Sequence, residues 1–331
     1  MCSHNGKGAS ARFMTSDAIG CTATSALLEE VSIHPKPGLV TPYDTGAHTD
    51  MDAALFGVSA KALQPYFAIS AQKGAEWHQS LEGLPTPEQF RELRPIGIKA
   101  EEAMFNATGG VNTHKGAFFS LGILCACAGH ASAGNKPLTV HSIIERCKSL
   151  TSGLVASDFA KLAKTGKASS AGEKLYLKYG VTGIRGQAES GFSAVCNISL
   201  PILEEALADG SDPNSAAVNV LLHLMCETED TNVLHRAGPE GLAYVQKAAA
   251  YALKQGGMFT LEGTQTILRM SDDFRQKRIS PGGCADLLAV TIFLYDLSVL
   301  SAGQYEKTFT QLKQRRTYSG TAIPFTTVCA G

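Results

Sequence analysis

Apolar residues recur at intervals of three and four along most of the chain, and few stretches alternate with period two. This pattern predicts helices over residues 18–31, 53–73, 116–128, 216–227, 242–253 and 285–300. Alanine is abundant inside them, and proline falls mostly between them, as expected where helices pack on helices. Runs of β-branched residues are scarce, so the expectation is an all-α fold in one multi-helix globular domain. Its predicted division is a polar N-terminal extension (1–17), an all-helical catalytic domain (18–302) and a C-terminal helix and tail (303–331). Residues 152–172, rich in Ser, Ala, Lys and Gly, are expected to form an exposed mobile loop.

Composition narrows the function. The 331 residues are 44% apolar and 18% charged, enough to bury a sizeable core. A formal net charge of −1 lacks the basic excess of a nucleic-acid-binding domain, so no nucleic-acid partner is expected. Nine cysteines show no C-x-x-C pair. Cys125, Cys127, Cys196 and Cys226 sit in apolar runs and read as buried reduced thiols rather than zinc ligands or disulfides. The first twenty residues lack the apolar core of a signal peptide. No apolar stretch reads as long and clean enough to span a bilayer, so a soluble, cytoplasmic protein with no membrane partner is expected.

The candidate chemistry lies in five polar, glycine-bearing stretches between the apolar helices, which suggest an active site built from glycine-rich helix junctions. In HPKPGLVTPYDTGAHTDMD (34–52), Pro35 and Pro37 fix an extended backbone around Lys36. His48 and Asp50 stand before a helix expected near Met51, where Asp50 is either an N-cap or a metal ligand or base. In TGGVNTHKGAFFSLG (108–122), Gly109 and Gly110 make a turn and Asn112 or Thr113 can cap the next helix. His114 and Lys115 then fall in its first turn, where cations are disfavoured unless an anion sits on the free N–H groups. In GVTGIRGQAESGFS (180–193), Arg185 stands between glycines, with Glu189 four residues on as a candidate helix-surface partner or ligand contact. CETEDTNVLHRAG (226–238) places Glu227, Glu229 and Asp230 before Asn232, His235 and Arg236 at the end of an apolar helix. Acids are disfavoured at such an end, and clustered oxygen ligands suit a hard cation. In SPGGCADLLAVTIFL (280–294), Ser280 reads as an N-cap and Pro281 as a first-turn proline. Gly282 and Gly283 either expose N–H groups to phosphate or allow a close helix crossing, with Asp286 one turn on.

Taken together, these stretches resemble the triphosphoribosyl-dephospho-CoA synthase family, which serves citrate lyase and malonate decarboxylase. The matching text is PKPGLV…GAHTDMD, LRPIG…EAMFNATGGVNTHKGAFFSLG, GVTGIRGQAESGF, DTNVLHRAG and SPGGCADLL, running from about Glu30 to about Asp296. The resemblance implies transfer of the 5-triphosphoribosyl group of ATP to the 2′-hydroxyl of 3′-dephospho-CoA, with release of adenine. The product is a prosthetic-group precursor, so a nucleotidyltransferase and an acyl carrier subunit would be partners only through that product.

On this reading Lys36, Lys115, Arg185 and Arg236 hold phosphates, together with Asn112, Glu189, Asn232, Ser280, Gly282 and Gly283. Asp50 or Asp230 would stabilise the ribose cation or deprotonate the hydroxyl, His48 or His114 would protonate adenine, and Mg²⁺ would be held by some of Glu30, Asp50, Asp230 and Asp286. The chain departs from the family's pattern at Gln187 (usually Glu), Ala237 (usually Gly) and Cys284 (usually Ser). A Mg²⁺-dependent nucleotide hydrolase with the same triphosphate site is the alternative, and a non-catalytic assembly factor is a weaker one.

Overall fold

The computed structural model describes residues 14–80, 83–134, 137–168 and 170–302. The C-terminal helix and tail expected over 303–331, and most of the N-terminal extension, lie outside the described residues. The chain order is α1 (Ser16–Ser32), α2 (Ala53–Ser80), α3 (Pro87–Thr108), α4 (Lys115–Ser132), α5 (Val140–Leu150), α6 (Leu154–Thr165), α7 (Ala171–Tyr179) and α8 (Gly183–Glu189). A π turn (Val195–Ser199) leads into α9 (Leu200–Ala208), followed by α10 (Pro213–Glu227) and α11 (Thr231–Lys254). A 3₁₀ turn (Gly257–Phe259), α12 (Leu261–Lys277) and α13 (Gly282–Ser301) complete it. Among the described residues the only β pairing is an isolated bridge between Thr41 and Asp44, so the fold is all-α.

Each predicted helix is present, and local chemistry explains its bounds. Thr15 accepts the Ala18 N–H to start α1, and Asp212 accepts the Ser215 N–H ahead of Pro213 to start α10. The helix expected at 242–253 is the second part of α11, which breaks at Gly238 before Pro239. Residues 152–172 are mostly α6 rather than a mobile loop, because Leu154, Phe159 and Leu162 bury an apolar stripe.

α4 and α13 are apolar around their whole circumference and form the centre of the bundle. α2 lies along α1, α3 and α4. Its crossing with α4 brings backbones into contact: a Cβ on Gly74 would stand 1.8 Å from the Ala126 oxygen, and one on Gly129 would stand 1.9 Å from that of Ala71. α13 packs on α1, α4 and α10. Contrary to the sequence expectation, α13 is long and apolar enough to cross a membrane, but most of that apolar stretch is buried inside the bundle. Burial of Phe67, Phe192, Phe274 and Phe293 contributes roughly 1.5–3 kcal/mol for each ring relative to exposure. The starts of α4, α11 and α13 converge on one side of this core.

Candidate active site

A cavity of about 1320 Å³ opens where those helix starts meet, and residues of all five glycine-bearing stretches line it. That exceeds the roughly 300–1,000 Å³ of a pocket for one small ligand.

On the first wall, Lys36 and Glu30 both line the cavity as a closed pair. The Lys36 ammonium is buried and bonds the Glu30 carboxylate at 2.5 Å and the Glu30 carbonyl at 2.6 Å. Burial pushes the Lys36 pKa down while Glu30 opposes the shift. The pair engages the Lys36 ammonium and one Glu30 carboxylate oxygen with each other. Asp50 is no helix cap: α2 starts at Ala53, and it is Asp52 that accepts the Leu55 N–H at 2.8 Å. Asp50 is left exposed at the cavity rim, 3.9 Å from Nδ1 of His48. The His48 Nε2 meets the Ser280 hydroxyl at 2.9 Å. Burial, then the nearby Arg236 charge, lower the His48 pKa against the pull of Asp50, favouring a neutral ring at pH 7.

Asp230 belongs to the start of α11, not the end of α10, so the dipole argument reverses: an acid at this position is stabilised. One carboxylate oxygen accepts the Asn232 and Val233 N–H groups at 2.8 and 3.1 Å. The other accepts the Cys284 N–H at 2.8 Å and so caps α13 from across the site. Burial raises the Asp230 pKa, and these backbone donors oppose it. Ser280 consequently is not the cap of α13, which Pro281 precedes without any side-chain bond of its own. The glycines serve close approach: a Cβ on Gly283 would lie 3.1 Å from the Asp230 carboxylate, and one on Gly282 would lie 2.7 Å from the Asn232 amide. Both glycines line the cavity, and their own amides have no acceptor among the described residues. Cys284 is buried, contacts the Thr228 hydroxyl at 3.3 Å, and has its thiol pKa pushed up by burial.

At the start of α4, Asn112 accepts the Lys115 N–H at 3.3 Å, while the amides of Gly116 and Ala117 have no acceptor among the described residues. The Lys115 ammonium pairs with Glu101 of α3. His114 is buried and its pKa falls to about 3, because burial and then the Lys36 charge disfavour the imidazolium. It is therefore not the proton donor that the sequence allowed. Asp286 faces Gly116, where a Cβ would stand 2.1 Å from its carboxylate, and it makes no hydrogen bond among the described residues. Burial, then Asp230 and Glu30, raise its pKa well above the ordinary 3.8.

The four carboxylates named as Mg²⁺ ligands all line the cavity, but among the described residues no group of three acids, histidines or cysteines is arranged to hold a metal. Asp286 alone is unpartnered in an acidic setting. That fits a Mg²⁺ carried in on phosphate oxygens, which needs only one or two protein carboxylates.

Arg185 bonds Asp158 at 2.8 Å rather than Glu189, with its guanidinium 5.5 Å from the Phe159 ring centre. Glu189 lies away from the cavity lining and accepts the Gly153 and Val155 N–H groups at 2.8 and 2.9 Å, capping α6. Arg236 lines the cavity, exposed, with no ion-pair partner among the described residues. Sequence reasoning missed Asn197, an exposed amide on the cavity wall with no hydrogen bond among the described residues. It sits in the π turn, and the signal was Pro201, which has no N–H for the Asn197 carbonyl and forces the helical register to slip. Ser59 was missed as well.

Comparison with known proteins adds identity to this geometry. The family model described as ATP:dephospho-CoA triphosphoribosyl transferase matches residues 16–304. A probable 2-(5″-triphosphoribosyl)-3′-dephosphocoenzyme-A synthase of Pectobacterium carotovorum is 42% identical over 270 residues, covering 82% of this chain and 86% of its own. The synthase of Klebsiella pneumoniae is 38% identical over 282 residues, covering 85% of this chain and 91% of its own. No solved structure matches.

Proposed function

The chain belongs to the ATP:dephospho-CoA triphosphoribosyl transferase family, and from that premise we propose how its cavity divides the work of the reaction. The activity is transfer of the triphosphoribosyl group of ATP to the 2′-hydroxyl of 3′-dephospho-CoA with release of adenine. The observation that carries our reading is a single cavity of about 1320 Å³, roomy enough for two nucleotides, with Arg185 and Arg236 among its lining residues. These arginines and the open start of α4 take the phosphates. Asp286 would hold a Mg²⁺ bound with the triphosphate, and the ion would supply charge neutralisation there.

Cleavage of the glycosidic bond leaves positive charge on the ribose and a pair of electrons on adenine. His48, neutral and flanked by Ser280 and Asp50, accepts the proton of the attacking 2′-hydroxyl. That same proton balances the departing base. Asp230 holds α11 and α13 in register instead of reacting. Asn197 and Asn112 offer amide contacts to the substrates, and the reaction takes place in the cytoplasm, where its product supplies acyl-carrier prosthetic groups.

Chromatography of adenine released from ATP and Mg²⁺, with and without dephospho-CoA, tests the reading. Adenine only with dephospho-CoA, matched by a product one triphosphoribosyl unit heavier, supports the transferase. Equal release without it would establish the hydrolase alternative.

A further inference from the structure

Ser59 lies in α2, fully buried beside the start of α4. Its hydroxyl has two partners: the Thr113 hydroxyl donates to it at 2.6 Å, and Nδ1 of His114 stands 2.8 Å away. Among the described residues Nδ1 is the one acceptor recorded for the Ser59 hydrogen, so the hydroxyl donates to it and Nδ1 is bare. The imidazole proton is left on Nε2. Phe56 packs edge-on to the ring, with centres 4.8 Å apart, and resists its rotation.

Nε2 is buried and has no hydrogen-bond partner among the described residues, although His114 lines the cavity. An unpaired buried N–H costs about 1–3 kcal/mol, which a ligand acceptor would recover. The ring is neutral, so it suits an uncharged acceptor, whereas the arginines suit phosphate. As the bond from ribose to base breaks, its electron pair moves onto the purine and its ring nitrogens become better acceptors. A fixed N–H aimed at one of them binds more tightly in the transition state than in the ground state. No proton leaves His114 in this role.

We propose that Ser59 and Thr113 are positioning residues that hold His114 as the Nε2–H tautomer, so that Nε2–H donates to N3 or N7, the ring nitrogens of the departing purine nearest the breaking bond. The proposal rests on the transferase reading of the cavity. Long-range ¹H–¹⁵N spectra of histidine-labelled protein, with His114→Gln to assign the signal, read the tautomer without turnover. Protonated Nε2 and bare Nδ1 are expected in the wild type. Ser59→Ala and Thr113→Val should mix the tautomers and lower kcat about 10- to 100-fold, the usual cost of removing an orienting partner, with KM for dephospho-CoA unchanged. Thr113→Ser, which keeps the hydroxyl, should restore both readouts. Of 3-deaza-ATP and 7-deaza-ATP, one should slow the wild type by a similar factor and slow Ser59→Ala no further.

An Nδ1–H tautomer in the wild type overturns the proposal. So does wild-type kcat in both Ser59→Ala and Thr113→Val, or turnover of both analogues at the rate of ATP. Since Thr113 is only half-buried, its variant keeps the test usable if Ser59→Ala misfolds. Absence of adenine release in the wild type would instead sink the transferase reading, with the spectra still deciding the tautomer.

Discussion

α4 and α13 both start at the cavity from glycine-bearing stretches, and at each a side chain takes one N–H, an uncharged amide at α4 and a carboxylate at α13. At α13 the Asp230 carboxylate accepts the Cys284 N–H, and the missing Cβ of Gly283 makes room for it. The amides of Gly116 and Ala117 at α4, like those of Gly282 and Gly283 at α13, have no acceptor among the described residues, and the carboxylate beside α4, Asp286, makes no hydrogen bond there. The helix dipole favours an anion at both places. At α13 the anion is an internal carboxylate fixed for structure, while at α4 the capping oxygen is uncharged and the helix end is less neutralised. Glycines at a helix start thus mark close approach, and only the three-dimensional neighbour decides whether the guest is protein or ligand.

The comparison breaks most visibly at Asp230. Asp230→Ala removes the acceptor of three N–H groups at two helix starts, two of them in buried bonds. It should lower the unfolding free energy by about 2–4 kcal/mol, read from urea denaturation. A loss under about 0.5 kcal/mol, typical of a neutral surface change, would mean that these helix starts need no internal carboxylate. At the start of α4 the effect should fall on turnover. Gly116→Ala drives a methyl against Asp286 and should cut kcat about 10- to 100-fold while the melting temperature moves little. Unchanged kcat would detach Asp286 and the start of α4 from the reaction.

These contrasts also mark what could be read from the sequence. α1, α4, α10 and α13 were legible because alanine and large apolar residues recur all round or along a broad face. α3 and α12 were not, since each buries only a narrow stripe among charged residues, such as Thr266, Ile267, Met270 and Phe274. The membership of the cavity was legible in the five motifs. The roles within it were not, because Lys36 with Glu30, Asp230 with Cys284 and Arg185 with Asp158 are pairings that only packing creates.

Asp286→Asn sharpens the comparison through pH. The Asp286 carboxyl has its folded pKa raised above the ordinary value of 3.8, so the folded state binds the proton more tightly than the unfolded state. Stability from this group is therefore present at acid pH and is lost as pH rises from about 3.8 through the folded value. The Asn variant lacks this loss and should be more stable than wild type at pH 7 by about 0.5–2 kcal/mol, while turnover falls. A stabilised, slow enzyme would identify Asp286 as a group kept for chemistry at a cost to folding. A variant less stable at pH 7 would mean that the carboxylate has a partner there.

Glu189 supplies the smallest effect and the cleanest control. Like Asp230 it is a carboxylate that caps a helix from a distant part of the chain, accepting the Gly153 and Val155 N–H groups at the start of α6. Unlike Asp230 it stands outside the cavity lining, and its bonds are partly solvated. Glu189→Ala should therefore cost only about 1 kcal/mol, the usual value of a lost cap, because water can replace the carboxylate. Its kcat should stay near wild type, since α6 bears on Arg185 through a contact made by Asp158 and Phe159. A raised KM for either nucleotide would show that this contact transmits the loosening of α6 to Arg185, and the partition between structural and substrate-binding carboxylates would then have to be redrawn around α6.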